Sequence, residues 1–334
     1  MSMKSTLTAM LLATVAAGPA IADGHMAKVV FGTNWLAQAE HGGFYQSVAD
    51  GTYAECGLDV EIISGGPQVN NRALMLAGRV DYHMGGDLLQ AFNAVKEGIP
   101  VVAVAATFQK HPQVLVAHPD VESWEGLKDR TLLIGDNGYT SYYQWMIAEH
   151  GFTVEQRQPY TFNPAPFLAD TGLAMQGYLS SEPYLIEKEG GFVPNVFLIA
   201  DNGFSSYATT IETMQATIEE KPEQVKCFVE GSIKGWYNYL YGDPSGANDL
   251  IKAANPDMTD DKIAYAIGKM KDWGIVDSGD ALEAGIGVMT DDVVQDFYGK
   301  MVNAGVIEDG LNLTSAYTLE FVGKGVGMDL KPSN

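Results

Sequence analysis

Short apolar segments alternate with helix-forming segments along most of this chain, and the alternation starts twice. In the first pass the apolar segments lie at 28–32, 58–63, 80–84 and 101–106, with a helical pattern between them. The second pass begins near residue 131 and matches the first at a spacing of about 95 to 105 residues. Such alternation is typical of a parallel sheet with helices on both faces. We therefore predict two similar α/β lobes.

The last third of the sequence has a different pattern. Beyond Ile211 it predicts helices over 222–241, 259–273 and 291–304, and no further strand is clear there. Two α/β lobes place the carboxyl ends of their strands at a shared crevice, and ligands bind outside those ends, at helix N-termini. The loops that follow the predicted strands are therefore the candidate site.

The N-terminus has the layout of a secretory signal peptide. Lys4 precedes an apolar run of small residues over 9–17, and Ala20-Ile21-Ala22 gives the small-residue pattern that a signal peptidase recognises. The run is too short to span a membrane. We expect cleavage after Ala22 and export of the mature chain; a mobile tail is the alternative interpretation.

Composition narrows the function classes. The formal net charge is -22, so the protein repels phosphate backbones and we expect no nucleic-acid partner. Cys56 and Cys227 can pair in an oxidising compartment, but spacing alone does not decide between a disulfide and two buried thiols. Metal-binding and nucleophile motifs do not occur in the sequence. We accordingly predict no catalytic residue, no metal and no cofactor.

Aromatic residues are concentrated in or beside the predicted strand-end loops. Trp35 and Tyr139 hold matching loop positions in the two passes, and flat rings at such positions stack on a heteroaromatic ligand. Core packing is the alternative for any of these side chains. The aromatic candidates for ligand contact are Trp35, Phe108, Tyr139, Tyr142 and Tyr184.

Polar candidates lie in the same loops. Asp87 and Glu182 occupy equivalent places in the two passes and can accept hydrogen bonds from an amino group or a cationic ring. A helix N-cap at Asp87 and a favourable helix-dipole contact at Glu182 are the alternatives. The other candidates are Asn34, His41, Gln109 and Asn137, with Gly65-Gly66-Pro67 as a loop that either exposes backbone N–H groups or only makes a tight turn.

Several short motifs in this order resemble a known family. They are Asn34-Trp35, His41-Gly42-Gly43-Phe44-Tyr45, Gly57-Leu58-Asp59-Val60, Gly65-Gly66-Pro67 and Ser181-Glu182-Pro183-Tyr184. The sequence resembles periplasmic substrate-binding proteins of ABC importers, in the group that binds thiamine-precursor pyrimidines, with sulfonate, nitrate and taurine binders as wider relatives. The resemblance implies a type II periplasmic-binding-protein fold. Lobe one would comprise 27–116 plus 208–334 and lobe two 117–207, with hinge crossings near His118 and Tyr207.

The same resemblance implies a function. A monomer in the periplasm would bind a small heteroaromatic amine between its lobes, without chemistry, and deliver it to an ABC permease in the inner membrane. The chain departs from aminopyrimidine binders at Gln38-Ala39-Glu40-His41, where they often show Asn-Pro-Asp-His, and near Gln176, where an aspartate is usual. A sulfonate- or nitrate-type anion, or a flavin, remains open as the ligand. An exported pyrimidine-modifying enzyme and a ligand-presenting sensor remain open as other classes.

Overall fold

The computed structural model describes residues 26–67 and 69–332 of the 334-residue chain. The proposed signal peptide, 1–22, lies outside the described residues, so its cleavage site stays a prediction. The strands are β1 Ala27–Gly32, β2 Leu58–Ile63, β3 Tyr82–Asp87, β4 Val101–Phe108, β5 Gln113–Ala117, β6 Thr131–Ile134, β7 Arg157–Pro159, β8 Leu173–Tyr178, β9 Asn195–Leu198 and β10 Ala208–Met214. The helices are α1 Gly42–Ala49, α2 Thr52–Glu55, α3 Asn71–Leu76, α4 Leu88–Lys96, α5 Asp136–Tyr139, α6 Tyr142–His150, α7 Ala165–Ala169, α8 Glu182–Gly190, α9 Gln215–Glu220, α10 Pro222–Tyr241, α11 Ser245–Ala254, α12 Asp260–Asp272, α13 Ala281–Ala284 and α14 Asp291–Asn303.

Two five-stranded sheets form the centres of two α/β lobes, as the repeated rhythm predicts. The sheet of lobe one has the order β2-β1-β3-β10-β4, and that of lobe two the order β7-β6-β8-β5-β9. β1 is parallel to β2 and β3, and β6 is parallel to β7 and β8, but β10 runs antiparallel to β3 and β4, and β5 antiparallel to β8 and β9. Both sheets are therefore mixed, and the expectation of purely parallel sheets was wrong.

The two antiparallel strands are also those that alternation could not predict. β5 follows β4 with no helix between them, and β10 contains Thr209, Thr210, Glu212 and Thr213, which are all buried although polar. A buried polar strand gives no clear apolar signal, so β10 was not predicted, and the helical segment predicted beyond Ile211 overlaps its last residues.

The chain crosses between the lobes twice. Because β5 pairs with β8 and β9, the first crossing lies between β4 and β5, at 109–112, rather than near His118. The second lies between β9 and β10, before Ala208, close to the expected position. Each lobe gains its antiparallel strand directly beside a crossing, which explains why these two strands sit in mid-sheet.

The helical C-terminal segment packs on lobe one. In α10 the buried Trp236 and Tyr239 lie so close to Gly43 and Gly42 of α1 that a Cβ at either glycine would overlap an aromatic ring. The α10 prediction is confirmed to the residue, and α12 and α14 lie within one residue of their predicted bounds. No helix in the described part of the chain is both long and apolar enough to cross a membrane.

Cys56 and Cys227 form a disulfide. The spacing of the two cysteines in the sequence could not decide between this bond and two free thiols. Their Cα atoms are 6.0 Å apart, within the range that the bond requires. Cys56 ends α2 and Cys227 lies in α10, so the bond joins two parts of lobe one that flank the whole of lobe two in sequence.

Candidate functional site

The strand-end loops of the two lobes meet, and side-chain contacts join the lobes directly in this region. Ser180 donates a hydrogen bond to Glu40 Oε1, and Ser141 Oγ donates to Asp87 Oδ2 at 2.9 Å. The rings of Trp35 and Phe162 are 4.8 Å apart, and those of Tyr184 and Tyr265 are 5.2 Å apart. The described conformation is therefore one in which the lobes are closed upon each other at the predicted crevice.

Asp87 serves both lobes. Its Oδ1 accepts from Gln90 N at 3.1 Å, which makes it the N-cap of α4, and its Oδ2 receives the Ser141 hydroxyl from lobe two. His111 Nε2, beside the first crossing, lies 3.8 Å from the same Oδ2. The N-cap and the inter-lobe contact use different carboxylate oxygens, so Asp87 can cap α4 and still present an acceptor to the crevice.

Glu40 is a buried acid at the interface that was not among the predicted ligand-binding residues. It lies in a one-turn 3-10 helix before α1, is only 4% exposed, and meets Ser180 of lobe two. Burial raises the pKa of its carboxyl, while the hydrogen bond from Ser180 and the backbone amide of Glu40 act in the opposite direction. The departure from the aminopyrimidine-binder motif at 38–41 was the available signal for this residue.

Glu182 opens α8 at the same interface. Its Oε2 accepts from Tyr178 N at 2.6 Å, and its Cβ lies 2.8 Å from where a side chain on Gly177 would begin. Burial raises the pKa of Glu182 to about 7; hydrogen bonds from the backbone amides of Tyr178 and Glu182 oppose this shift, and Glu40 adds to it. This carboxylate therefore closes the β8–α8 turn and also faces an acid of the other lobe.

Tyr178 is close enough to three acids for their charges to act on its phenol. Burial raises the pKa of its phenol, and the charges of Glu40, Asp87 and Glu182 raise it further. The His111 ring lies 6.4 Å from that of Tyr178. Lobe one thus supplies two buried carboxylates and lobe two a half-buried one to a single polar centre, defined by Glu40, Asp87, Tyr178 and Glu182, which we call the acidic centre.

An aromatic row leads from the surface toward the acidic centre. Trp35 is half-buried and packs on Phe162, which is 42% exposed, and the Phe162 ring lies 5.3 Å from that of Tyr160. Tyr160 is 7% exposed, and burial together with the charge of Glu182 raises the pKa of its phenol. Phe162 adopts a left-handed φ of 61°, a conformation that non-glycine residues rarely take outside functional loops.

The loop at Gly65-Gly66-Pro67 braces Trp35 rather than offering a free Gly65 amide. Gly65 N donates to Trp35 O at 3.0 Å and to Thr33 Oγ1 at 3.2 Å, and a Cβ on Gly65 would lie 2.5 Å from Thr33 O. Gly66 is buried and Pro67 is exposed. The tight-turn interpretation fits Gly65, and its consequence is a fixed position for the Trp35 turn.

Two candidates near this turn differ in their surroundings. Asn34 is half-buried directly before Trp35. His41 is 2% exposed, and its Nδ1 finds no hydrogen-bond partner within residues 26–67 and 69–332. Burial lowers the pKa of His41 to about 3, so the ring is neutral at physiological pH.

The candidates after β4 face the interior of the fold. Phe108 is fully buried, with its ring 5.5 Å from that of Trp236 in α10. Gln109 Nε2 donates to Ala106 O at 3.1 Å and to Val288 O at 2.9 Å. These contacts fit the core-packing alternative and tie the first crossing to the C-terminal segment.

The candidates of lobe two spread over a wider area. Asn137 is exposed, while the Tyr139 ring lies 4.7 Å from the Arg157 guanidinium. Tyr142 is buried and donates to Gln176 Oε1 at 3.1 Å. Tyr184 makes the inter-lobe contact with Tyr265. The structure thus gathers Trp35, Asp87, Glu182 and Tyr184 at the interface and leaves Asn137 on the surface of lobe two.

Arg72 in α3 of lobe one is held by a buried acid, Glu212. Its Nε and Nη2 lie 3.1 Å and 2.7 Å from Glu212 Oε2, and His83 Nδ1 lies 3.1 Å from the same oxygen. Burial alone would raise the pKa of Glu212, but Arg72 and His83 outweigh it and lower the pKa to about 2. The guanidinium is therefore neutralised within lobe one.

Comparisons with known proteins agree with this architecture. A family model described as "NMT1/THI5 like" matches residues 38–247, more than half of the chain. The riboflavin-binding protein RibY of Chloroflexus aurantiacus is 26% identical over 271 residues, which cover 73% of this chain and 71% of RibY.

Two solved structures show the fold at low identity. The alkanesulfonate-binding protein SsuA of Xanthomonas axonopodis pv. citri, bound to MOPS, has a TM-score of 0.61 at 12% identity, covering 87% of this chain and 98% of its own. The desulfurization enzyme DSZB has a TM-score of 0.53 at 12% identity, covering 88% and 97%. One fold therefore carries both binding and catalysis, and the function of this chain has to be argued from its own site.

Proposed function

This chain belongs to the NMT1/THI5-like family, and on that premise we propose that it is a periplasmic substrate-binding protein of an ABC importer. Its ligand is a small flat heteroaromatic molecule that carries amino groups, of the thiamine-precursor pyrimidine type. The protein binds this ligand between its lobes, acts as a monomer and performs no chemistry on it.

One observation carries the proposal: the acidic centre stands at the inner end of an aromatic row. The row, Trp35-Phe162-Tyr160, offers faces on which a heteroaromatic ring can stack. Carboxylates accept hydrogen bonds from amino groups and pair with protonated rings. An aminopyrimidine combines the flat face and the donors that these two features would recognise.

The same charges argue against an anion. A sulfonate or nitrate between the lobes would meet Glu40, Asp87 and Glu182, whereas the Arg72 guanidinium is already bound to Glu212. Buried like charges repel strongly because little solvent screens them. We therefore place the anion hypothesis below that of the amine.

Transport is supported by the way in which the lobes are joined. Two crossings, at 109–112 and before Ala208, allow a hinge motion that closes the lobes on a ligand. A disulfide between Cys56 and Cys227 is typical of a protein in an oxidising compartment such as the periplasm. A permease would recognise the closed form and receive the ligand.

A ligand panel tests the proposal directly. We expect isothermal titration calorimetry to detect binding of 4-amino-5-hydroxymethyl-2-methylpyrimidine, and we expect that ligand to raise the melting temperature. Alkanesulfonates and nitrate serve as anion controls. Stabilisation by the anions without any response to the aminopyrimidine would overturn the ligand class.

A flavin is the second candidate, and the similarity to RibY favours it. An isoalloxazine ring is also flat and would stack along the same aromatic row. Riboflavin fluorescence offers the discriminating measurement, because stacking on Trp35 would quench it. Tight quenching by riboflavin with no calorimetric response to the aminopyrimidine would replace the first candidate by the second.

A further inference from the structure

The acidic centre poses an electrostatic problem that the contacts within the protein do not solve. The partners of Glu40 and Glu182 in the closed structure are a hydroxyl and backbone amides, from Ser180, Tyr178 and the glutamates themselves. Glu40 is buried and Glu182 is half-buried, so two ionised carboxylates here repel each other and lose part of their hydration. Closure without a positive charge between them therefore requires that a proton be added.

The titratable groups that face Glu40 and Glu182 directly are a neutral histidine, phenols and further carboxylates, and these do not supply that positive charge. His41, next to Glu40, is held neutral by burial, and Tyr239 of α10 faces Glu40 with a phenol whose pKa burial and that carboxylate both raise. Asp87 adds negative charge, and His111 lies beside Asp87 at 3.8 Å. Tyr160 and Tyr178 are the phenols that face Glu182.

The helix packed against the Glu40 turn directs its lysines elsewhere. In α12, Lys262 Nζ donates to Asp257 O at 2.9 Å and Lys271 Nζ to Leu240 O at 3.1 Å, while Lys269 Nζ lies 5.3 Å from the centre of the Tyr265 ring. These three ammonium groups are thus engaged outside the acidic centre.

A second feature of the same segment points to a missing polar partner. His41 Nδ1 lacks a hydrogen-bond partner within the described chain. The His41 side chain is only 2% exposed. Unsatisfied buried polar atoms are costly, and a bound ligand is one way to satisfy them.

We propose that Glu40 and Glu182 act as a charge filter: the lobes close over a positively charged ring with both carboxylates ionised, and over a neutral ring only with an added proton. This inference rests on the proposed function and narrows its ligand class to cations. The proton comes from solvent and returns to it when the lobes open, and no covalent bond changes. Selectivity for a cation over a neutral ring of equal shape therefore rises with pH.

The test compares two probes of similar outline whose own charge is constant between about pH 6 and 8. One is an N-methylated 4-aminopyrimidinium, a permanent cation, and the other is the neutral 4-methylpyrimidine. The ratio of their affinities is the readout, because the ligand-free protein enters both affinities equally. A difference of one proton between the complexes, titrating near neutrality, raises the ratio about tenfold over this range.

Two variants and a control show whether Glu40 and Glu182 cause the change of the affinity ratio with pH. Glu40→Gln and Glu182→Gln should each reduce the rise in the ratio, whereas Glu189→Gln, an exposed acid on the same helix as Glu182, should keep it. Far-ultraviolet circular dichroism and a melting curve confirm folding of each variant, and either glutamine variant alone suffices for the assignment.

The outcomes separate the filter from the proposed function. Binding of both probes with a ratio that does not change with pH would overturn the filter and leave the proposed function standing. Tighter binding of the neutral probe at every pH would do the same. Failure of both probes, together with the aminopyrimidine, would overturn the proposed ligand class and the filter with it.

Discussion

At the scale of single residues, the acids in the interior and at the interface differ in whether a basic side chain is paired with them. Glu212 is fully buried but paired with Arg72 and His83, so its pKa falls. Glu40, which is buried, and Glu182, which is half-buried, have only hydroxyls and amides as hydrogen-bond partners, and desolvation raises their pKa values. Since pairing is the usual condition for burying a charge, the first arrangement is complete in the protein alone. The second lacks a cationic partner among these contacts, which is the position that we propose for the ligand.

Removing the acid of the paired network should destabilise the fold. The lowering of the Glu212 pKa from 4.5 to about 2 corresponds to about 3 kcal/mol, and Glu212→Gln should lose about that much unfolding free energy at neutral pH. Urea denaturation measures it, with the exposed Glu61→Gln as control. A loss equal to that of the control would contradict the role given to the network.

The same network predicts the direction of acid sensitivity. Because the folded pKa of Glu212 is depressed, its stabilisation is present above about pH 4.5, the unfolded value, and is lost as pH falls toward about 2. Unfolding free energies of the wild type and Glu212→Gln should therefore converge across that window. A gap of constant size at every pH would show that the depressed pKa does not underlie the stabilisation.

Trp35 should matter for binding more than for stability. It is half-buried, so Trp35→Ala removes little core, yet loss of one stacking partner costs about 1 kcal/mol beyond burial and should weaken the aminopyrimidine at least about fivefold. Trp124→Ala is the matched control, since Trp124 is also half-buried but packs on His150 and Phe152 within lobe two. Equal loss of affinity in both variants would argue against ligand stacking at Trp35.

At the scale of elements, the sequence predicted those helices and strands whose apolar residues recur at a regular spacing. The two lobes, the strand–helix order and the bounds of α10 follow from apolar spacing and helix-boundary signals. The antiparallel β10 does not, because its polar residues are buried through tertiary pairing that the sequence alone cannot display. At the interface, Asp87 and Glu182 could be found from the matched loops of the repeat, whereas Glu40 and Phe162 depend on the way in which one lobe closes on the other.

The disulfide between α2 and α10 should contribute to stability through the unfolded state. It links cysteines 171 residues apart and thereby restricts a long loop that contains all of lobe two. Replacement of both cysteines by serine should lower the unfolding free energy by about 2 to 4 kcal/mol. Urea denaturation of the double variant, compared with the oxidised and reduced wild type, measures the change. A reduced wild type as stable as the oxidised one would contradict the prediction.

At the scale of the whole molecule, two compact lobes share a closed interface that their crossings allow to open. The closed contacts are of two kinds: aromatic pairs at Trp35–Phe162 and Tyr184–Tyr265, and serine–carboxylate hydrogen bonds at Glu40 and Asp87. The buried acids oppose closure, whereas the aromatic pairs favour it. A ligand that offers both a flat face and a positive charge would shift this balance toward the closed form.

Spin labels on opposite lobes should report this shift. Glu61→Cys in β2 and Glu189→Cys in α8 are exposed, and the native cysteines are already paired, so two labels result. Electron–electron distance measurements should show that the aminopyrimidine moves the population toward the shorter distance. Phe162→Ala should increase the longer-distance population without ligand, because it removes an aromatic contact between the lobes. An unchanged distribution at saturating ligand would mean that binding does not depend on closure, and the two-lobed clamp would have to be abandoned as the mechanism.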